Sequence, residues 1–452
     1  MKVSRELAKF VLQTGYGDIP NKALERAKFS FIDSLGTTLA GSQEEAAHIM
    51  ARYVEKQGGA PVASLVAHKI KSSTYNAAMA NGTMAHMHDY DDMSSTLIGH
   101  PSVGVLPAVL ALGEENKISG KDALLAFTLG VEVTCKIGRG VIPKHYENGW
   151  HPTSTIGIFG AVAAASKILK LSEEELIHAF GIAGSESSGL RENFGTMTKP
   201  LHPGRAAAKG IMAALLAKDG FTSAKDIFGG KWGFCRVMAG DYNEEKITES
   251  LGNPFEFEEP GIHIKPYPTC GGAHPATDAV ISLSKEHDLK GEEVQKIEVG
   301  TVPIALDVLT YTNPQTPLEA KFSMHYCLAA ALVERANGFA QFVDEKVNDP
   351  KIRHLLDKVE MYIAPEMAPL GYRGTFNANV KITLKDGKEY VKRVDFGRGD
   401  PLNPLSKDEQ MGKYADCAAL ALDPDLIERS KEMLLDLEQL PDITLLMDMI
   451  RG

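Results

Sequence analysis

The chain has 452 residues, 44% hydrophobic and 24% charged, the balance of an ordinary globular protein and too long for one compact core. A net charge of −11 argues against a nucleic-acid partner, yet leaves room for a locally basic pocket that takes an anionic small molecule. The five cysteines (Cys135, Cys235, Cys270, Cys327 and Cys417) are odd in number and form no C-x-x-C pair, the usage of free thiols in a cytoplasmic protein.

The chain opens on MKVSRELAKFVLQ, which reads as an amphipathic helix and not as a signal peptide. From Pro20 to Gly41, the residues Leu24, Ala27, Phe31, Leu35 and Leu39 fall at helical spacing, and Gly41 closes the run. Ser119 with Asp122, and Ser172 with Glu175, predict capping boxes that open two further helices. Stretches such as NAAMANGTMAH and GAVAAAS are rich in small residues, which predicts closely packed helices buried on several sides. No apolar run is expected to reach the ~18 residues of a membrane helix, the longest lying around IGIFGAVAAA.

The texture changes after Pro260. IEVGTVP (297–303) and VEMYIAP (359–365) predict short strands. NVKITLKDGKEYVKRVDF (379–396) predicts a hairpin, with Val380, Ile382 and Leu384 on one face and Asp386-Gly387 as a type I′ turn. Helices are expected to begin near Pro275, Ser323 and Pro350, and again from Pro404 to the end. The fold class is therefore mainly α, with an all-helical part and an α+β part near 265–400.

One short pattern recurs: His-Pro followed by small or hydroxyl residues and a helical run. It occurs at His100-Pro101, His151-Pro152, His202-Pro203 and His274-Pro275, four of the 14 histidines. Proline suits the first helical position, so each histidine is expected beside a helix N-terminus, where unpaired N–H groups favour an anion and a neutral imidazole. The bland alternative is a convenient helix start and nothing more. Lys199 and Arg205 flank His202, while Lys265 precedes Cys270 and His274, giving cations suited to two or three carboxylates.

The cluster HMHDYDDM (His86, His88, Asp89, Asp91, Asp92) has metal-ligand types. Because no matching ligand set recurs downstream, the reading is no metal, with Asp89 or Asp92 orienting a catalytic histidine or capping a turn. No phosphate loop, dinucleotide fingerprint or nucleophile elbow is found, and no cofactor is expected. Cys270 reads equally as a nucleophile or acid/base group and as a spectator thiol.

Taken in order, HMHDYDD…GHPSVGVLPAVLALGE, NGWHPTSTIGIFGAVAAASKILKL, GTMTKPLHPGRAAAKG and KPYPTCGGAHPATDA resemble the MmgE/PrpD family of dehydratases, decarboxylases and epimerases acting on small carboxylic acids. The resemblance runs from the first helix to NPLSKDE. It implies an all-helical domain built from both chain ends (1–264 and 401–452), a smaller α+β lid domain (265–400), a cleft between them, a homodimer and no cofactor. It also implies that Asp89, His100, His151, Lys199 and Lys265 belong to the pocket, with Tyr326 of KFSMHYCLAA as its tyrosine.

The chain departs from the decarboxylase and dehydratase pattern in having Met93 and Ser94 after Asp92, one extra residue before His100, and Cys270 where the decarboxylases have a histidine. Those features are similar to the iminodisuccinate epimerase branch. The expected function is proton transfer next to a carboxylate of a small di- or tricarboxylate, first as a lyase (dehydratase or decarboxylase). The alternatives are an epimerase of an amino- or imino-dicarboxylate and a non-catalytic carboxylate-binding protein. His151 and His100 lead as acid/base groups, and Asp89 orients one of them. Lys199 and Lys265 clamp carboxylates with help from His202 and Arg205. Tyr326, Cys270 or His274 supply a proton on the opposite face.

Overall fold

Helix-forming periodicity dominates the first 260 residues, and in the computed structural model, which describes residues 2–452, they form helix after helix. The chain divides into two compact units. The first comprises residues 2–87, 91–262 and 406–452, and the second residues 88–90 and 263–405. The chain thus leaves the first unit for three residues, His88–Tyr90, and returns at Asp91.

In the first unit the expected caps are present. Ser172 accepts the Glu175 N–H while Glu175 reaches back to the Ser172 N–H, and Ser119 accepts the Asp122 N–H. The helix Lys407–Ala418 returns onto Asn21–Gly41, where Lys413 Nζ meets Asp33 Oδ1 at 2.6 Å, both side chains buried. Small residues set the closest crossings. A Cβ on Gly204 of the helix Thr198–Lys218 would stand 2.2 Å from the carbonyl oxygen of Met79 and 2.6 Å from Thr83 Oγ1, on the helix Thr74–Ala85. Gly204→Val is therefore expected to destabilise the protein by about 3 kcal/mol through overpacking, visible as a lowered thermal unfolding midpoint.

One expectation needs correcting. The run Pro152–Leu169 is 18 residues long with mean hydropathy 1.2, enough by length and composition to cross a membrane. It spans two consecutive helices, Pro152–Thr155 and Gly157–Leu169, and 89% of it is buried inside the protein, so its apolarity serves a core helix enclosed on all sides. The glycines that obscured it in the sequence are the small residues that let neighbouring helices approach.

The second unit holds a four-stranded sheet in the order β4-β3-β5-β6, following a two-stranded ribbon (β1 Ala63–Ser64, β2 Lys71–Ser72) in the first unit. Its strands are β3 Val294–Thr301, β4 Val359–Ile363, β5 Ala378–Leu384 and β6 Glu389–Val394. β3 and β4 are parallel, while the other pairs are antiparallel. Ala378, Val380, Ile382 and Leu384 all turn inward, as period-two alternation requires.

The β5–β6 turn is not type I′. Only Gly387 takes a positive φ (+85°), the Gly387 N–H bonds to Leu384 O, and the Leu384 N–H bonds to Lys388 O. That is a three-residue loop closed by a left-handed glycine, with Asp386 Oδ1 accepting the Lys388 N–H at 3.0 Å. A type I′ turn would need Asp386 itself at positive φ.

Candidate active site

The helix Thr74–Ala85 ends at His86, and the chain then makes a tight excursion through Asp89, which has φ +51°. On return, Asp91 places its carboxylate between two imidazoles. His86 Nδ1 lies 2.8 Å from Asp91 Oδ1, and His100 Nδ1 lies 2.8 Å from Asp91 Oδ2. A compact loop delivers His100: the Ser94 N–H bonds to Gly99 O, Ser94 Oγ accepts the Leu97 N–H, and the His100 N–H donates to Thr153 Oγ1. Behind it, Ser102 Oγ donates to Asp92 Oδ2 at 2.6 Å, and burial together with nearby Asp33 pushes the Asp92 carboxyl up to about 8.

His151 caps the short helix Pro152–Thr155, its carbonyl accepting the Ser154 and Thr155 N–H groups. Its ring stacks at 5.9 Å on His86, meets Phe194 edge-on at 5.0 Å, and its Nδ1 lies 2.9 Å from His202 Nδ1. Lys199 is buried, with its ammonium 5.2 Å over the Phe194 ring.

Charge follows from this packing. Burial, reinforced by Lys199 and the neighbouring histidines, holds His151 well below the usual histidine range. Burial likewise brings His86 and His202 down to about 4. Burial alone would raise Asp91, but His100 and His86 outweigh it and hold the carboxyl well below its ordinary value. The first unit thus gathers neutral imidazoles around one buried ammonium, an arrangement that can receive a carboxylate and move a proton beside it.

The four His-Pro pairs are not equivalent. His151 is an N-cap and His274 is the first residue of the helix His274–Glu286. His202, by contrast, lies inside a helix already begun at Thr198, and His100 precedes a turn, with its helix starting only at Leu106. Local preference for Pro at a helix start was overridden by the close crossing at Gly204 and by the 94–99 loop. The His151 and His202 imidazoles are neutral because of burial and Lys199, not because each faces a helix terminus.

In the second unit the Lys265 ammonium is held by Asp89 Oδ2 (3.0 Å), Asp89 O (2.5 Å) and Thr269 O (3.1 Å). His274 Nε2 donates to Thr269 O at 3.1 Å, fixing its tautomer, and its ring stands edge-on to Tyr267. Cys270 is half-buried, and its N–H donates to Lys321 O. Buried Lys321 donates to His88 Nδ1 at 2.8 Å, and His88 packs on Phe339.

Family models describing the MmgE/PrpD N-terminal domain and the MmgE/PrpD C-terminal domain match residues 5–246 and 267–439. The chain belongs to the MmgE/PrpD family. Among curated relatives of this MmgE/PrpD protein, cis-aconitate decarboxylase of Homo sapiens is 30% identical, the match covering 96% of this chain and 92% of the relative. The mouse (Mus musculus) enzyme of the same name is 30% identical over 95% and 89%, and that of Aspergillus terreus 26% identical over 99% and 96%. The MmgE/PrpD protein is accordingly an enzyme of the lyase class.

Within this MmgE/PrpD fold, the structure brings His100, His151, His202 and Lys199 together in the first unit, and Asp89, Lys265, Cys270 and His274 into one region of the second. Arg205 is exposed, contributing at most its field to His202. Tyr326 is buried in the core of the second unit, its hydroxyl donating to Gln341 O at 2.5 Å. Reasoning from sequence passed over Asp91 and His86 as partners, weighing them only as metal ligands, and missed Phe194, His88 as a hydrogen-bond acceptor and Lys321. The HMHDYDD string carried the one usable signal, because Asp91 lies five residues from His86, within reach after a single reversal of the chain.

Proposed function

We propose that the protein is a cofactor-independent decarboxylase of a cis-aconitate-like tricarboxylate. What carries this reading is the buried Lys199 among the neutral imidazoles of His151, His86 and His202, on a chain whose relatives are named cis-aconitate decarboxylases. Such a reaction breaks the bond to one carboxylate and releases CO2. The bonding pair becomes a new double bond, the old double bond shifts its electrons to the far alkene carbon, and that carbon takes one proton. The developing negative charge calls for a fixed cation and a placed acid.

Lys199 is the carboxylate anchor in the first unit, and His151 and His100 carry the proton. In the second unit Lys265, held by Asp89, is a second anchor, and Cys270 or His274 is a further proton source, whereas Tyr326, enclosed in the core with its hydroxyl committed to Gln341 O, is not. His202 supports His151, while exposed Arg205 attracts the anion. The family resemblance supports a homodimer, and five free thiols support a cytoplasmic location. With a pI near 5.7, the partner is the small acid, not nucleic acid or membrane.

A second reading, epimerisation of an imino-dicarboxylate, is favoured by the Cys270-Gly271-Gly272-Ala273-His274 segment, in which the His274 tautomer is fixed by Thr269. Proton NMR in D2O separates the two. With cis-aconitate, the decarboxylase gives CO2, a terminal methylene and one deuterium on the carbon that received the proton. With iminodisuccinate, the epimerase exchanges the α-hydrogen without loss of carbon. No CO2 from cis-aconitate would overturn the first reading.

A further inference from the structure

We infer that Asp91 is a positioning residue that fixes both His86 and His100 as Nδ1–H tautomers, and that His86 is a further member of the proton-handling cluster, presenting its Nε2 lone pair. The inference rests on the reading of the histidine cluster as the acid/base site. An ionised carboxylate only accepts hydrogen bonds, so the 2.8 Å hydrogen bond from His86 Nδ1 requires a hydrogen there, and the 2.8 Å ion-pair contact with His100 Nδ1, off the line of a hydrogen bond, favours a hydrogen on that nitrogen over a lone pair facing the carboxylate. Each ring must then offer Nε2 as an acceptor. His86 Nε2 is buried and has no hydrogen-bond partner in the protein, although the His86 ring is wedged between those of His100 (4.4 Å, edge-on) and His151 (5.9 Å, stacked). A buried nitrogen of this kind is costly unless another group, such as a substrate hydroxyl or carboxylic acid, uses it.

The charged and titratable groups facing the pair are Lys199, which with burial keeps His86 neutral, His151 with His202 beyond it, and Asp92 beside Asp91. His100 is the more accessible ring of the two, with its side chain 8% exposed against 0% for His86. His100 is therefore the ring that a substrate reaches first, while the enclosed His86 remains an acceptor behind it.

A divalent cation is the competing occupant, since His86, Asp91 and His100 offer ligand atoms within 4.8 Å of one another. Both Asp91 oxygens, however, already face Nδ1 atoms. Ligation through those Nδ1 atoms would displace their hydrogens, so a bound cation and the Nδ1–H tautomers exclude one another.

The test uses the full-length protein labelled with 15N-histidine. Long-range 1H–15N spectra of the unaltered protein are expected to show His86 and His100 as Nδ1–H tautomers. In Asp91→Asn, whose amide offers only one acceptor oxygen, at least one ring changes tautomer. Its kcat falls about 10³-fold or more with KM within about threefold. Asp91→Glu recovers part of kcat, and His86→Gln retains KM but lowers kcat. Nε2–H tautomers in the unaltered protein would overturn the inference, as would an Asp91→Asn variant with unchanged kcat. Stoichiometric Zn²⁺ binding that is abolished by Asp91→Asn would also overturn it. The tautomers are read without turnover, so absence of CO2 from cis-aconitate would defeat the proposed function and leave the positioning role standing.

Discussion

His151→Ala is expected to lower kcat/KM by about 10²–10⁴ while the protein keeps its helical circular dichroism. The loss should fall mainly on kcat, because Lys199, the proposed carboxylate anchor, is untouched. Folding is affected less: removing the ring leaves His202 Nδ1 without its 2.9 Å partner, a cost of about 1–3 kcal/mol.

The acid behaviour follows from the same burial. Burial holds His151 well below the usual histidine range, so it stays neutral there and the acid limb of activity should begin below that range. For stability, a histidine depressed in the folded state takes up its proton first in the unfolded chain. The stabilisation from His86 and His202 is thus present above pH 6.5 and is lost as pH falls toward about 4. Thermal unfolding of the unaltered protein between pH 7 and pH 4.5 checks the direction. An unchanged kcat in His151→Ala would remove His151 from the proton path.

The largest stability effect is expected from Lys136→Met, about 3–5 kcal/mol. Lys136 is fully buried in the helix Gly120–Val141, with Glu132 Oε1 and Glu256 Oε1 each 3.4 Å from its ammonium and Ser250 Oγ and Pro254 O at 3.1 Å. Glu132 also accepts the N–H groups of Gly252 and Glu256, and Arg139 meets Glu256. Two carboxylates thus face two cations, and removing one cation strands negative charge in the interior.

Burial already outweighs Lys136 in pushing the Glu132 carboxyl up to about 7, and its removal drives that value higher. A carboxyl raised in the folded state loses stability as pH rises through its folded value, so the penalty should be larger at pH 8 than at pH 6. Calorimetry at the two pH values tests this, and Lys136→Met combined with Glu132→Gln should recover part of the loss. The network also reaches the site, because Thr96 Oγ1 donates to Glu256 Oε2 at 2.9 Å from the loop that carries His100. Weakening it should therefore reduce kcat as well.

Much of the fold is legible because its causes are local. Ser172 with Glu175 predicts a helix start from a reciprocal bond between neighbours in the chain, and the β5 alternation predicts its buried face from strand geometry alone. The type I′ turn failed where one dihedral decides the outcome, since Asp386 and Gly387 allow either turn and only the glycine took a positive φ. The His-Pro pattern failed in part for a related reason. Proline tolerates a helix start without requiring one, and His202 entered a helix whose beginning was set four residues earlier.

By itself the sequence determined the mainly helical fold, the change to α+β after residue 260, the MmgE/PrpD membership and the lyase class, since periodicity, caps and ordered motifs are properties of the chain. Only the tertiary structure decided which carboxylate meets which imidazole. Asp89, Asp91 and Asp92 are alike as residues, but reversal of the backbone at Asp89 sends its own carboxylate to Lys265, that of Asp91 to His86 and His100, and that of Asp92 to Ser102. Their surroundings then set their charges: His100 and His86 hold Asp91 low against its burial, while burial and Asp33 raise Asp92 to about 8, because desolvation and neighbouring charges act through space and not along the sequence.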